Sequence, residues 1–338
     1  MVWHFDQVQW WSYYTHAGVN YGGEFGLRLF NKNSQELLKS IQALEEGWLN
    51  EANRKHWGEQ NSRYPLAIIN KLSSFDFDCE IRCPDNLRFH KINNHLVISK
   101  FILLQTAHFL PYVPETHKCR RLHGHNFGLW ISIDVSNFDS ETSELIDYVN
   151  TCCFRIKSKL DHCILNDIEG LSNPTSENIA LWIHEKLTAM SLKVFNILCI
   201  ETQASAACYH GNDNWTCWKS FDFESVWRPS SDSISGHSFK LTAGVTGGLV
   251  KPYDWVLDFS EIKEQIKPLI DEVDHQDLSC ILEGRGNSPE GLLEWFSQKS
   301  VTQNKYDFCL QYLSTRGAYR IDSIKQLCGA IPYLDWRG

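Results

Sequence analysis

Apolar residues alternate with polar ones through Phe127, Leu129 and Ile131, which predicts a strand with one buried face. Upstream, Gln105-Thr106-Ala107-His108-Phe109-Leu110 reads as a second strand that ends in His108. The period changes between Ser34 and Trp48, where Leu37, Leu38, Ile41, Leu44 and Trp48 fall at helical spacing. Asn33 and Glu36 stand where a capping box would start that helix. Phe77 to Phe89 reads as a closing pair of strands. The recurring order is strand, strand, helix, helix, strand, strand. It predicts an α+β class, with antiparallel sheets carrying helices on one face.

The chain has 338 residues with 43% hydrophobic content, enough for sizeable cores and two or three domains. A net charge of −9 argues against a general nucleic-acid or membrane-surface partner. No apolar run reaches the roughly 18–20 residues of a membrane span, and the polar, Trp-rich start has no signal-peptide pattern. Twelve cysteines without small-domain spacing read as reduced thiols in a cytoplasm. Cys79-x3-Cys83 and Cys152-Cys153 lack a partner pair at zinc-ribbon spacing, so both are read as packing cysteines.

Residues 117–127, His-Lys-Cys-Arg-Arg-Leu-His-Gly-His-Asn-Phe, narrow the chemistry most. His123 and His125 project from one face of an extended strand and set two nitrogen donors side by side. His108 offers a third. Three histidines plus water make an open zinc sphere of the catalytic kind. The plainer alternative is a pair of surface or cleft histidines. Cys119 lies in a loop with Lys118, Arg120 and Arg121, whose charges are expected to favour the thiolate.

Five motifs, in order, carry a resemblance. They are Thr106-Ala107-His108; Cys119-x3-His123-Gly-His125; Leu160-Asp161-His162 with Leu165-Asn166; Asn173-Pro174-Thr175-Ser176-Glu177-Asn178; and Glu201-Thr202 with Cys208-Tyr209. The stretch from Leu104 to Gly211 resembles the 6-pyruvoyl-tetrahydropterin synthase family. It looks closest to the bacterial 6-carboxytetrahydropterin synthases of queuosine biosynthesis, as the three-residue gap before His123 suggests. The resemblance implies that His108, His123 and His125 hold Zn2+ and that Cys119 moves protons with an Asp-His couple. It implies that Glu201 anchors the pterin through paired hydrogen bonds. Lys118, Arg120 and Arg121 could meet a substrate triphosphate; the alternative is a solvated basic loop.

The unit recurs. Ser235-Gly236-His237-Ser238-Phe239 lies against His123 to Phe127, Asp258-Phe259 against Asp147-Tyr148, and Val273-Asp274-His275 against Leu160-Asp161-His162. Cys309-Leu310-Gln311 lies against Cys199-Ile200-Glu201. In this copy Trp227, Ser235, Ser231 and Gln311 replace His108, His123, Cys119 and Glu201, while Asp274-His275 is kept. A fainter match sets Tyr21 to Leu27 against His123 to Leu129, with Lys55-His56 near the Asp-His position; the alternative is an unrelated helical extension. The expected domains are a degenerate repeat at 1–95, an intact repeat at 96–213 and a degenerate repeat at 214–338. By resemblance each is a T-fold, and three close into a twelve-stranded pseudo-trimeric barrel, two of which could pair as a homodimer.

The expected activity is a zinc-dependent lyase turning 7,8-dihydroneopterin triphosphate into 6-carboxy-5,6,7,8-tetrahydropterin. The alternatives are the pyruvoyl product, or an idle zinc-binding scaffold. Family subunits share their sites, so the resemblance implies that Cys119 is completed by Asp274-His275 rather than by Asp161-His162; the alternative is that Asp274-His275 merely packs or hydrogen-bonds at the repeat interface.

Overall fold

The computed structural model describes residues 8–12, 24–29, 79–83, 87–92, 95–136, 142–230, 233–282, 288–300, 306–314 and 317–322. Six strands come first: β1 (Val8–Ser12), β2 (Glu24–Leu29), β3 (Cys79–Cys83), β4 (Leu87–Ile92), β5 (His95–His108) and β6 (His123–Asp134). Helices α1 (Thr142–Leu160) and α2 (Ser176–Ala189) precede β7 (Val194–Thr202), β8 (Ser205–Tyr209), β9 (Trp215–Ser230) and β10 (Ser233–Gly247). The chain continues through α3 (Phe259–Val273), the short α4 (Leu278–Ile281) and α5 (Pro289–Lys299), and ends in β11 (Asp307–Ser314) and β12 (Gly317–Asp322).

These twelve strands form one antiparallel sheet in which each pairs with its neighbour in sequence. The strand count matches expectation, but the closed barrel does not. Among the described residues β1 pairs only with β2 and β12 only with β11, so the sheet is open. Closure requires a ladder between the end strands, and these two, five and six residues long, make none. The expected helix from Ser34 to Trp48, with Asn33 and Glu36, and the Lys55-His56 pair lie outside the described residues. The expected closing strands before Phe89 are β3 and β4, paired from Cys79 with Lys91 to Cys83 with Leu87.

Alternation fixes what each face of the sheet does. Ile197 and Cys199 join Phe127, Leu129 and Ile131 under the helices, while Leu198 and Ile200 point to the other face. Helix α1 buries Leu145, Ile146, Val149, Cys152, Cys153, Ile156 and Leu160, a stripe at three- and four-residue spacing. The Cys152-Cys153 pair is therefore core packing, as expected. Helix α3 does the same with Ile262, Ile266, Ile270 and Val273. Each fully buried Phe or Leu of this layer contributes about 1.5–3 kcal/mol. The opposite face carries Leu198, Ala206, Cys208, Trp218 and Cys309, with the Arg88 guanidinium 3.7 Å from the Trp130 ring.

Caps start the helices. Thr175 accepts from the Asn178 N–H at 3.1 Å to begin α2, and Asp258 accepts from the Ser260 N–H at 2.7 Å to begin α3. Asp147 lies inside α1, so the expected equivalence of Asp258 with Asp147 does not hold.

Two stretches share one local design. The Gln105 N–H donates to Asp161 at 2.7 Å and the His162 N–H to the Gln105 carbonyl at 2.8 Å. The Glu224 N–H donates to Asp274 at 3.0 Å and the His275 N–H to the Glu224 carbonyl at 2.5 Å. His162 and His275 both sit in the left-handed region, with φ of 57° and 56°.

The strands carrying His108, His123 and His125 are locked at their far end by Asp134. Its carboxylate takes Lys193 at 2.6 Å, His95 at 2.9 Å and the Ser136 hydroxyl at 2.6 Å, tying the ends of β5, β6 and β7. These hydrogen bonds hold the carboxyl well below the usual range, although burial pushes the other way. The folded value is depressed, so the stabilisation is complete above the unfolded value of about 4 and fades as pH falls from there through the folded value. Asp134→Asn should lower the urea midpoint at pH 7, with the gap to wild type narrowing at pH 3. Equal midpoints at pH 7 would remove Asp134 from the account.

Candidate metal and pterin site

The register of β5 and β6 builds the site. His108 pairs directly with His123, and Thr106 with His125, so the three imidazoles share the helix-covered face. Their ring centroids lie 4.5, 5.2 and 5.0 Å apart, and one ligand atom from each falls within 4.8 Å of the others. The His108 Nδ1 donates to the Pro174 carbonyl at 2.8 Å and the His123 Nδ1 to the Arg121 carbonyl at 2.7 Å. Those bonds fix the tautomers and leave Nε2 as the lone-pair nitrogen. The Nε2 atoms of His108, His123 and His125 are all buried without a hydrogen-bond partner. Buried polar atoms are normally satisfied, and three converging lone pairs suit a cation. This donor set fits zinc with a fourth position open. Burial holds His108 down to about 4 and lowers His125, with Glu201 opposing in both cases. Both shifts favour the neutral imidazole that a metal ligand must be.

Glu201 stands beside this triad on β7. Its Oε2 accepts from the Ser176 hydroxyl at 2.8 Å, and its Oε1 lies 3.6 Å from the His125 Nε2. Cys119 follows His117 in the turn Lys118–Arg120, where its N–H donates to the His117 Nδ1 at 3.2 Å. The expected thiolate is not what its surroundings favour. Burial raises the Cys119 thiol first, and Glu201 raises it further; Lys118 pulls it down and Asp258 up. The basic loop loses because Lys118 and Arg121 point to solvent, where water screens them, while the Arg120 guanidinium is turned to the Val113 carbonyl at 3.4 Å.

The two Asp-His couples fall on different sides. β6 pairs with β7 only from Gly128 onward, and β8 with β9 only as far as Lys219. The overhanging parts of β6 and β9 therefore flank the Glu201 end of the β7–β8 hairpin. Glu224 already faces Ser238 of β10 on one side, so Asp274-His275 occupies the β9 edge that looks toward β8. Gln105 faces Asn126 of β6, so Asp161-His162 occupies the β5 edge that looks away. Among the described residues neither couple hydrogen-bonds Cys119.

In the later segment Trp227 pairs with Ser235 and Ser225 with His237, which repeats the His108–His123 and Thr106–His125 register. The counterpart of Glu201 needs correction. Leu129 faces Cys199 and Leu241 faces Leu310, so the step from Cys199 to Glu201 leads from Leu310 to Tyr312, not to Gln311. Tyr312 packs edge-on against Trp227 and His237, with centroids 6.1 and 5.6 Å away. Ser231, expected in the place of Cys119, lies outside the described residues.

Sequence reasoning gave no role to four participants, although all stand in stretches it singled out: Ser176, Glu177, His117 and Asp258. The capping pattern Asp258-Phe259-Ser260-Glu261 was the one signal that could have pointed to the last. The loop before α3 docks on the 173–177 turn. Asn173 donates to the Tyr253 carbonyl and Thr175 to the Asp254 carbonyl, each at 2.8 Å, and the Val256 N–H donates to Glu177 at 3.1 Å.

The family model for 6-pyruvoyl tetrahydropterin synthase matches residues 97–212 and 220–307, together more than half of the chain. The chain belongs to that family, whose enzymes are lyases acting on pterins, and its antiparallel sheet with packed helices is the family's T-fold. A 6-carboxy-5,6,7,8-tetrahydropterin synthase of Synechocystis sp. is 38% identical to it over 120 residues, 33% of this chain and 92% of that protein. The solved structure of Caenorhabditis elegans 6-pyruvoyl tetrahydropterin synthase matches 35% of this chain and 96% of its own, at 21% identity and a TM-score of 0.30.

Glu177 offers a direct check on the docked loop. Burial, first of all, pushes its carboxyl up to about 7, while the Val256 N–H pulls the other way. The folded value is raised, so ionisation costs stability as pH climbs from about 4 through 7. Glu177→Gln keeps an acceptor for Val256 and should gain on wild type by on the order of 2 kcal/mol between pH 5 and pH 8 in urea unfolding. A gain that stays constant with pH would place Glu177 in water.

Proposed function

We propose that this chain is a zinc-dependent lyase of pterin biosynthesis that converts 7,8-dihydroneopterin triphosphate to 6-carboxy-5,6,7,8-tetrahydropterin, on the route to queuosine. The observation that carries the reading is the trio of buried, partnerless Nε2 atoms beside Glu201 and Cys119. The likeness to the Synechocystis 6-carboxy-5,6,7,8-tetrahydropterin synthase supports the carboxy product over the pyruvoyl one.

In this reading His108, His123 and His125 hold zinc, which when bound polarises the side-chain hydroxyls of the substrate. Glu201 grips the pterin ring through its amino group and a ring N–H, with Ser176 fixing the rotamer of the carboxylate. Cys119 takes and returns protons at Sγ; its raised pKa suits a group that must reprotonate within the cycle. Asp274-His275 completes it from across the cleft, supported by its place on the β9 edge that faces the site. Asp274 holds the His275 Nδ1 at 2.9 Å, leaving Nε2 to exchange a proton. Lys118 and Arg121 are exposed and free to meet the triphosphate; Arg120 is committed to Val113.

The domain reading follows the same lines. Residues 96–213 make the working T-fold repeat and 214–338 a second that has lost its own site, supported by the two matched segments and the duplicated Asp-His design. Residues 1–95 make a first, degenerate repeat on sequence grounds alone.

Purified protein should contain one zinc per chain, lost when His123 and His125 are both replaced by Ala, as metal analysis would record. Full zinc in the double variant overturns the ligand set. Cys119→Ala should keep zinc and pterin binding while turnover of dihydroneopterin triphosphate falls by about 10²–10⁴-fold. Turnover near wild type removes Cys119 from the chemistry. His275→Ala should fall by a similar factor with zinc intact, and His162→Ala should be mild. The reverse pattern would assign the proton transfer to Asp161-His162.

A further inference from the structure

We infer that Asp258, carried in from the 220–307 segment, is a positioning residue for Cys119 and acts through His117. The two groups are 141 residues apart in sequence and meet with the His117 Nε2 at 3.2 Å from the Asp258 Oδ2. Both side chains are about four-fifths buried at this contact.

The hydrogen bonds set the tautomer. The His117 Nδ1 accepts the Cys119 N–H at 3.2 Å, so its proton sits on Nε2 and is donated to Asp258. Asp258 divides its carboxylate. Oδ1 takes the Ser260 N–H at the start of α3, and Oδ2 takes His117. A single side chain thereby couples the start of a helix in one segment to the turn that presents the thiol in the other. The position of Asp258 is itself held by the docking of residues 253–256 on the 173–177 turn. Trp255 lies over the same imidazole, its ring centroid 6.3 Å from that of His117. The charged groups around the thiol are Glu201 from β7, Lys118 from its own turn and Asp258 from the cap of α3.

The segment that lost its own zinc histidines therefore supplies part of the neighbouring site. Among the described residues the Asp258 carboxylate hydrogen-bonds His117 and Ser260, not His108, His123, His125 or Glu201. Its task is to keep the Cys119 backbone oriented and to place a negative charge near the sulfur.

The turnover part of this inference rests on the lyase reading; the geometric part does not. Asp258→Asn and Asp258→Ser both keep a good helix cap. Asn can present only one acceptor oxygen, and Ser is too short to reach His117. Each, and His117→Gln, should lower kcat about tenfold to a hundredfold with KM within about threefold, as expected when a reacting group is misplaced. The Asp258→Ser/His117→Gln double variant should be no slower than its slower parent. Alkylation of Cys119 by iodoacetamide, followed by mass spectrometry in substrate-free protein, supplies an independent readout. Removing the charge in Asp258→Asn should move the alkylation midpoint to lower pH while turnover falls. Kinetic constants within about twofold of wild type for both Asp258 variants, multiplicative losses in the double variant, or an unmoved midpoint would each overturn the inference. Failure of both Asp258 variants to fold would overturn it too, by reducing Asp258 to a structural cap. If wild type turns over no dihydroneopterin triphosphate, the lyase reading fails, and the alkylation shift still decides the role of Asp258.

Discussion

Three imidazole nitrogens buried without hydrogen-bond partners are the constraint on which the candidate site depends. Each would cost about 1–3 kcal/mol if left unsatisfied, and His108 and His123 are held from turning away because their opposite ring nitrogens are tied to carbonyls. Those carbonyls belong to Pro174 and Arg121. Pro174 leads into the cap of α2, and the turn around it is held by backbone carbonyls of residues 253 and 254. The orientation of His108 on β5 thus depends, through Pro174, on a loop about 145 residues further along the chain.

The later segment illustrates what the same frame becomes without that constraint. The register survives, with Trp227 opposite Ser235 and Ser225 opposite His237. The polar cage is replaced by Trp227, His237, Phe239 and Tyr312 in mutual ring contact. The Ser235 hydroxyl and the His237 Nε2 satisfy one another at 3.0 Å, and aromatic packing fills the remaining volume. Strand pairing and helix packing need apolar alternation, not metal ligands, so the same strand register forms around an aromatic cluster. What the segment offers instead is outward: Asp258 and the 253–256 loop toward Cys119, and a strand edge bearing Asp274-His275.

Much of this was legible in the chain. The spacing of His123 and His125, and the placing of His108 at a strand end, specify three donors on one face because a strand has period two. The alternation of Phe127, Leu129 and Ile131 gave the buried face of β6. The likeness read between Asp161-His162 and Asp274-His275 has a local counterpart in the structure, the same backbone hydrogen bonds and a left-handed histidine in both places. Other features misled. Lys118, Arg120 and Arg121 beside Cys119 suggested a thiolate, since sequence proximity says nothing of burial. Gln311 was set against Glu201 by counting along the chain, whereas the strand register selects Tyr312.

The sequence by itself determined the local patterns: which residues alternate, which cap, and which side chains can bind a metal. These depend on neighbours a few positions away, where backbone geometry is nearly fixed. Only the tertiary structure decided which groups meet. The raised Cys119 thiol follows from burial and from Glu201, eighty-odd residues distant, and the His117–Asp258 pair from two segments docking. It also decided that the twelve-stranded sheet is open among the described residues, since closure depends on whether its two end strands meet. Electrostatics and hydrogen bonding act through space at a few ångströms, and no periodicity along the chain encodes which distant residues will come that close.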